Sequence, residues 1–183
     1  MARQQDAPVV YSIAGSDNSG GAGIQADLAT FADFGVHGCS IITALTAQNR
    51  HGVHRVTLTP IAHLKQDFEV LRNDMPAAAV KLGMLANTEI TAAIGDLLPG
   101  FEGPIVCDPV MSASAGGSLF ETGAVDALLQ LLPRLTLITP NWREAETLSG
   151  VQINSFADVE IAAQALLGKG ARAAYAGHGQ RMR

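Results

Sequence analysis

Charge is scarce in this chain: only 16% of its 183 residues are charged and 5% are aromatic, with a single Trp. Hydrophobic residues reach 48%, which excludes a disordered or fibrous chain and leaves enough apolar mass for one sizeable core. Basic residues are in deficit, with 12 Lys+Arg against 17 Asp+Glu and a net charge of −5. No basic stripe exists to displace phosphate counterions, so no nucleic-acid partner is expected. Cys39 and Cys107 are too few for a disulfide framework. Each stands in an apolar strand-like run and reads as a buried free thiol in a reducing compartment. No apolar run approaches the length of a membrane span, and the first residues, M-A-R-Q-Q-D-A-P, carry no signal-peptide core. The expectation is a cytoplasmic protein with no membrane contact. The histidines, His37, His51, His54, His63 and His178, show no metal-ligand spacing and are assigned no chemistry.

What the chain does have is glycine, 19 residues of it, placed between periodic segments rather than in a repeat. Short β-branched runs alternate with amphipathic stretches. Strands are predicted at Val9–Ala14, Ser40–Thr46, Val53–Leu58, Ala78–Leu82, Ile105–Asp108 and Leu135–Thr139, with a weaker one at Ala171–Ala176. Helices are predicted at Ile24–Phe34, Ile61–Asn73, Thr88–Leu98, Ala124–Leu132, Trp142–Leu148 and Phe156–Leu167. Leu64, Phe68 and Leu71 mark one core face, and Ile161, Ala165 and Gly168 a weaker one. Thr88 before Glu89, and Ser155 with Asp158, read as helix starts. The alternation implies an α/β fold with a mainly parallel sheet between helices, and ligands at the carboxyl ends of the strands. Val53–Leu58 follows Ser40–Thr46 with no helix between them, which predicts an antiparallel flap.

Several residues admit two readings. The turn G-S-D-N-S-G-G-A-G, Gly15 to Gly23, lacks the spacing of a P-loop and of a dinucleotide fingerprint. It is either a plain β-α turn or a place where backbone approaches a ligand. Asp17 and Asp27 read as solvated or helix-capping groups. Gln48, at the end of T-A-L-T-A-Q-N, is a surface amide or a donor–acceptor pair for a heteroaromatic ring. Met84 is core packing or the wall of such a site. Asp108, closing a strand, is a turn aspartate or a ligand for a metal or a reacting hydroxyl. Asn141 and Glu144 form a capping box or part of a Mg²⁺–phosphate site. Trp142 reads as packing.

In order, the motifs A-G-S-D-N-S-G-G-A-G-I-Q-A-D (Ala14–Asp27), G-C-S-I-I-T-A-L-T-A-Q-N (Gly38–Asn49), K-L-G-M-L (Lys81–Leu85), D-P-V-M (Asp108–Met111) and T-P-N-W-R-E-A-E (Thr139–Glu146) resemble the hydroxymethylpyrimidine/phosphomethylpyrimidine kinases of thiamine biosynthesis, within the ribokinase-like superfamily. The resemblance runs from Val9 to about Ala173. It implies a ribokinase-like three-layer αβα fold and a pyrimidine pocket lined by Gly15 and Ala22. Gln48 would bond the aminopyrimidine edge, and Met84 would pack on the ring. Asp108, Asn141 and Glu144 would sit by the ATP phosphates, with Asp108 and Glu144 on Mg²⁺. The implied reaction moves the ATP γ-phosphoryl to 4-amino-5-hydroxymethyl-2-methylpyrimidine and then to its monophosphate. A homodimer through the flap strands is implied as well.

The chain departs from the family at two places. Ser112–Gly117 reads S-A-S-A-G-G where many relatives carry a different small-polar stretch. The family's lysine-glycine-glycine-histidine turn and its G-T-G-C segment, which supplies the anion hole, do not occur. No catalytic residue is therefore assigned. The expectation is a single ribokinase-like domain over residues 1–183, truncated at its C-terminal end, with residues 175–183 an aberrant tail. The alternatives are a pyridoxal kinase and a non-catalytic remnant that still binds the pyrimidine.

Overall fold

The computed structural model describes residues 7–111 and 123–177. The Ser112–Gly117 departure and the tail from His178 onward lie outside the described residues. One mixed sheet organises the chain. Its strands are β1 (Val9–Asp17), β2 (His37–Asn49), β3 (Gly52–Leu58), β4 (Ala79–Leu82), β5 (Ile105–Cys107) and β6 (Leu137–Ile138), in spatial order β3-β2-β1-β4-β5-β6. All neighbours pair parallel except β2 and β3, which form the expected antiparallel flap. The helices are α1 (Gly23–Asp33), α2 (Ile61–Asp74), α3 (Thr88–Leu97), α4 (Ala124–Leu131), α5 (Trp142–Ser149) and α6 (Phe156–Gly168).

Successive residues of β1 show that helices cover both faces of the sheet. Tyr11 faces α2, its ring edge-on to Phe68 with centroids 6.1 Å apart, whereas Ser12 faces α1 and donates to Asp27 Oδ2 at 2.5 Å. This is the period-two alternation of a strand buried on both sides. The Tyr11 face carries the main core, with Ile13, Ile41, Leu64, Leu82, Ile94, Leu128 and Ile138 fully enclosed. Both thiols are buried and unpaired.

Three local expectations shift. The α6 core face is Ala162 and Leu166; Ile161 is 55% exposed, one residue out of phase with the predicted stripe. The α3 cap is Asn87, whose side chain accepts from Ile90 N at 2.9 Å, so Thr88 is the first helical residue rather than the cap. The run Leu135–Thr139 contributes only Leu137 and Ile138 as a strand, because Leu132–Arg134 winds into a 3-10 turn just before it. Beyond α6 the chain returns to this edge. Ile138 pairs with Ala174, and Asn141 with Gly177, as parallel bridges.

Candidate active site

The direction of strand addition reverses at β1. From β1 the chain first adds β2 on one side, then crosses to β4 on the other. In such sheets the crevice outside the carboxyl ends of the two strands flanking the reversal is the natural ligand site. Here those ends are Gly15 of β1 and Gly83-Met84 after β4. The β1–β2 register slips at this point: Ala14 pairs with Ile42 and Ser16 with Leu45. Two residues of β2, Thr43 and Ala44, thus stand opposite the single Gly15, a bulge of the kind that re-aims chain beside a site. Thr43 Oγ1 donates to Met84 O at 2.6 Å. Ala44, Met84 and Ala86 form a small buried apolar cluster separate from the main core, with Val110 against it. Ala86 holds φ at +64°, an uncommon conformation for a residue with a side chain.

The glycine-rich turn folds back over this floor. Gly23 has φ +57°, and a Cβ there would collide with the Gly15 carbonyl oxygen. Ser16 and Gly23 form an antiparallel bridge. Only a glycine allows such an approach. Gln25 locks the turn from α1, accepting from Asp17 N at 2.9 Å and donating to Ser16 Oγ at 2.8 Å. Ala22, exposed at the head of α1, provides no side-chain cap.

Asp17 is buried, 4% exposed, and not the solvated group its residue type suggests. It accepts from Ser19 N and Ser19 Oγ, both at 2.7 Å, and from Gly21 N at 3.1 Å. Burial by itself would raise its carboxyl. The bonds from Ser19, Gln48 and Gly21 outweigh burial and hold it below the usual range. Asn18 Oδ1 accepts from the backbone of Gln48 at 2.7 Å. Turn and flap are therefore tied together at the half-buried Gln48.

A second group of polar residues lies at the ends of β5 and β6. A cavity of about 190 Å³ is lined by Asp108, Thr139, Pro140, Asn141, Glu144, Tyr175 and Gly177. Burial raises the Asp108 carboxyl, offset in part by Lys81 and reinforced by Asp27. Burial also raises Glu144, against bonds from the Asn141 and Met111 backbones, and the nearby Asp108 adds to the rise. Asn141 and Glu144 do make a full capping box: Asn141 Oδ1 accepts from Glu144 N at 3.1 Å, and Glu144 Oε2 from Asn141 N at 2.8 Å. Met111 N reaches Glu144 Oε1 at 3.3 Å. The capping reading thus holds, without excluding a ligand from the same carboxylate. Burial pushes the Cys107 thiol up to about 12, so it is protonated and inert at neutral pH.

Two carboxylates with raised pKa, the buried Glu144 and the half-buried Asp108, in a small polar cavity suit a divalent cation that keeps several waters and phosphate oxygens. Mg²⁺ is commonly held in this way, by one or two carboxylates. Among the described residues no group of three or more His, Cys, Asp or Glu could hold a metal by itself.

Asp27 is neither a solvated nor a helix-capping group but the centre of a polar cluster with Ser12 and Lys81, two residues the sequence pattern does not single out. Lys81 Nζ meets Asp27 Oδ2 at 2.9 Å, with the two side chains 22% and 16% exposed, and Ser12 bonds the same oxygen. The clue was available: Lys81 is a lone cation in an otherwise apolar strand, and such a residue needs a partner.

A larger groove, about 890 Å³, lies elsewhere, between the β2–β3 flap and α2, and is lined by Leu45, Leu58, His63 and Val70 among others. It contains no predicted site residue. Volume alone favours this groove, but the strand reversal, the bulge and the convergent polar groups all favour the Gly15–Met84 crevice. No helix among the described residues is long and apolar enough to cross a membrane.

Comparison with known proteins identifies the family. The family model described as phosphomethylpyrimidine kinase matches residues 17–181. The hydroxymethylpyrimidine/phosphomethylpyrimidine kinase of Haemophilus influenzae is 47% identical over 165 residues, which cover 89% of this chain and 61% of that protein. The chain thus spans about three-fifths of the length of that relative. Among solved structures, phosphomethylpyrimidine kinase from Clostridium difficile 630 superposes with a TM-score of 0.83 at 40% identity, covering 90% of this chain and 72% of the other. The pyridoxal kinase from Staphylococcus aureus in complex with pyridoxal gives 0.86 at 34% identity, covering 94% and 65%. That enzyme has also been solved with ADP and with AMP-PCP. The sheet order and helices are those of the ribokinase-like kinases, and the chain belongs to the phosphomethylpyrimidine kinase family.

Proposed function

We propose that this chain carries the pyrimidine pocket and the metal–phosphate carboxylates of an ATP-dependent hydroxymethylpyrimidine/phosphomethylpyrimidine kinase. The observation that carries the reading is the β1/β4 reversal, where Gly15 and Met84 meet at the carboxyl ends of the two strands. On this reading Gly15, Ala22 and Met84 line the ring, and Gln48 bonds its aminopyrimidine edge. Asp108, Asn141 and Glu144 stand beside the nucleotide phosphates, and Asp108 and Glu144 hold Mg²⁺.

Bound there, Mg²⁺ neutralises charge on the phosphoryl oxygens. The protein's own part is positioning. A ring seated beside Gly15 and Met84 would have its hydroxymethyl oxygen held in one direction, and fixed geometry substitutes for a costly encounter. Asp108, whose carboxyl pKa burial raises and Lys81 lowers in part, would hold a proton or a cation at the junction of the two half-sites. A first transfer to the alcohol and a second to the monophosphate use the same arrangement.

Titration calorimetry of the purified chain with 4-amino-5-hydroxymethyl-2-methylpyrimidine, and separately with Mg-ATP, tests this. Binding of both, with turnover, supports the kinase. Binding of the pyrimidine alone supports a pyrimidine-binding protein without catalysis, and binding of neither defeats the reading. Pyridoxal is a second candidate substrate, favoured by the TM-score of 0.86 to the pyridoxal complex; its affinity relative to the pyrimidine decides between them. We also infer a cytoplasmic setting, supported by the two free buried thiols. A homodimer through the flap is supported by the exposure of Leu45 and Leu58, 53% and 42%.

A further inference from the structure

The chain just beyond Met84 is held in an uncommon shape. Asn87 N donates to Leu85 O at 2.8 Å, which closes a three-residue turn centred on Ala86, and Ala86 holds φ at +64°. A turn of this size with positive φ at its centre is the rare, strained form. Glycine would adopt it at no steric cost. Among the described residues seven glycines take positive φ, and Ala86 is the one residue with a side chain that does so. Such strain persists only where the surroundings enforce it, and it gathers beside ligand sites.

The surroundings are specific. Leu85 is anchored in the main core. Its neighbours Met84 and Ala86, 6% and 5% exposed, instead join Ala44 in the separate small cluster, with Val110 against it. Thr43 Oγ1 ties down the Met84 carbonyl at 2.6 Å, which fixes the Met84 backbone from the β2 side. The Met84 side chain is another matter, being an unbranched, readily rotating thioether. Its Cε and Sδ lie 2.9 and 3.3 Å from where a Gly15 Cβ would stand. The cluster is what confines it there, and the Ala86 methyl is the part of the cluster that a glycine would remove.

We propose that Ala86 is a positioning residue: its methyl, kept in spite of a strained backbone, holds the Met84 side chain against Gly15 and so preforms the wall on which the ring packs. The proposal rests on the reading of Met84 as that wall. A side chain that becomes ordered only on binding lowers affinity by the freedom it loses, whereas one confined beforehand does not.

The experiment compares the full 183-residue chain with Ala86→Gly and Ala86→Ser. Glycine relieves the strain but removes a buried methyl and loosens the unfolded chain, so these effects oppose one another. The melting temperature of Ala86→Gly should stay within about 4 °C of the unsubstituted chain. In chain labelled with methyl-¹³C methionine, Met84→Leu identifies the Met84 signal. That signal should move in Ala86→Gly towards the position of a freely rotating thioether, while the signal of Met75, packed on the main core, stays. This readout needs no ligand, and an unmoved Met84 signal overturns the proposal. Calorimetric titration with 4-amino-5-hydroxymethyl-2-methylpyrimidine should show affinity reduced about two- to tenfold in Ala86→Gly. Unchanged affinity, whatever happens to the melting temperature, makes Ala86 a packing residue alone and overturns the proposal. Ala86→Ser keeps a β-carbon in the same place and should retain both the Met84 signal and the affinity; a loss as large as that of glycine also overturns it. If the Met84 signal moves but the unsubstituted chain binds no pyrimidine, the ring-wall reading falls first and the proposal with it.

Discussion

Gly15 and Met84 face each other across the strand reversal so closely that a Cβ on Gly15 would lie 2.9 Å from Met84 Cε and 3.3 Å from its Sδ. The obstructing atoms are the far end of a flexible side chain, which can move aside. Gly15→Ala should therefore fold with a loss of about 1 kcal/mol or less. It should still narrow the crevice where the ring is proposed to lie. Calorimetry should show pyrimidine affinity reduced about tenfold or more while the melting temperature barely changes. Loss of stability with intact affinity would separate Gly15 from the pocket.

Gly23→Ala should behave oppositely. The obstructing atom is the Gly15 carbonyl oxygen, part of a backbone that cannot step aside, and φ is +57°. Both steric terms act together, and a cost of about 2–4 kcal/mol is expected. For a chain of this length, this lowers the melting temperature by roughly 5–10 °C. Scanning calorimetry reads it directly.

The carboxylates give opposite pH signatures. Asp108 and Glu144 have raised folded-state values, chiefly from burial. Their contribution is fully present below the unfolded-state range and is lost as pH rises through the raised values. Asp108→Asn and Glu144→Gln remove that cost, and glutamine keeps an oxygen for the Asn141 N–H while giving up the long bond from Met111 N. Both variants should melt above the unsubstituted chain at pH 7, and the difference should fade on acidification. Asp17, held low by its bonds to Ser19, Gln48 and Gly21, stabilises above its unfolded value. Asp17→Asn should melt lower at pH 7, with a gap that closes as pH falls through the depressed folded value. Melts across pH 3–7 compare the two signs.

Lys81→Met should strand the Asp27 carboxylate with Ser12 alone. Asp27 is 16% exposed and its ion pair 2.9 Å long, so a cost of about 1–3 kcal/mol is expected, below that of a fully buried pair. Adding Asp27→Asn should recover most of it. Urea denaturation of the two variants measures the recovery, and equal midpoints would show that the pair contributes little.

Periodicity was enough to find most elements, because strands and helices buried on defined faces must repeat at 2 and 3.6 residues. It placed the Leu64–Phe68 face of α2 correctly, and the helix start read at Ser155 with Asp158 is a capping box, in which Ser155 N donates to Asp158 Oδ2 at 2.8 Å. It slipped by one residue on α6, where Ala162 is small and Ile161 large. Burial there follows contact with α5, where Ala145 and Ala162 share a buried cluster, rather than side-chain size. For the site, the candidates were visible as polar or glycine residues at strand ends. Their partners were not, since Asp27 and Lys81 are 54 positions apart.

The amino-acid sequence by itself determined the family, the strand–helix alternation and the candidate polar and glycine residues at strand ends, because local pattern and ordered motifs are properties of short segments. Only the tertiary structure decided which of those residues face one another. The bulge at Thr43–Ala44, the closure of Gly23 on Gly15 and the burial of Asp17 against the flap all arise from pairing between segments distant in the chain. The energies of such contacts depend on distance and exposure, and neither quantity exists until the sheet has formed.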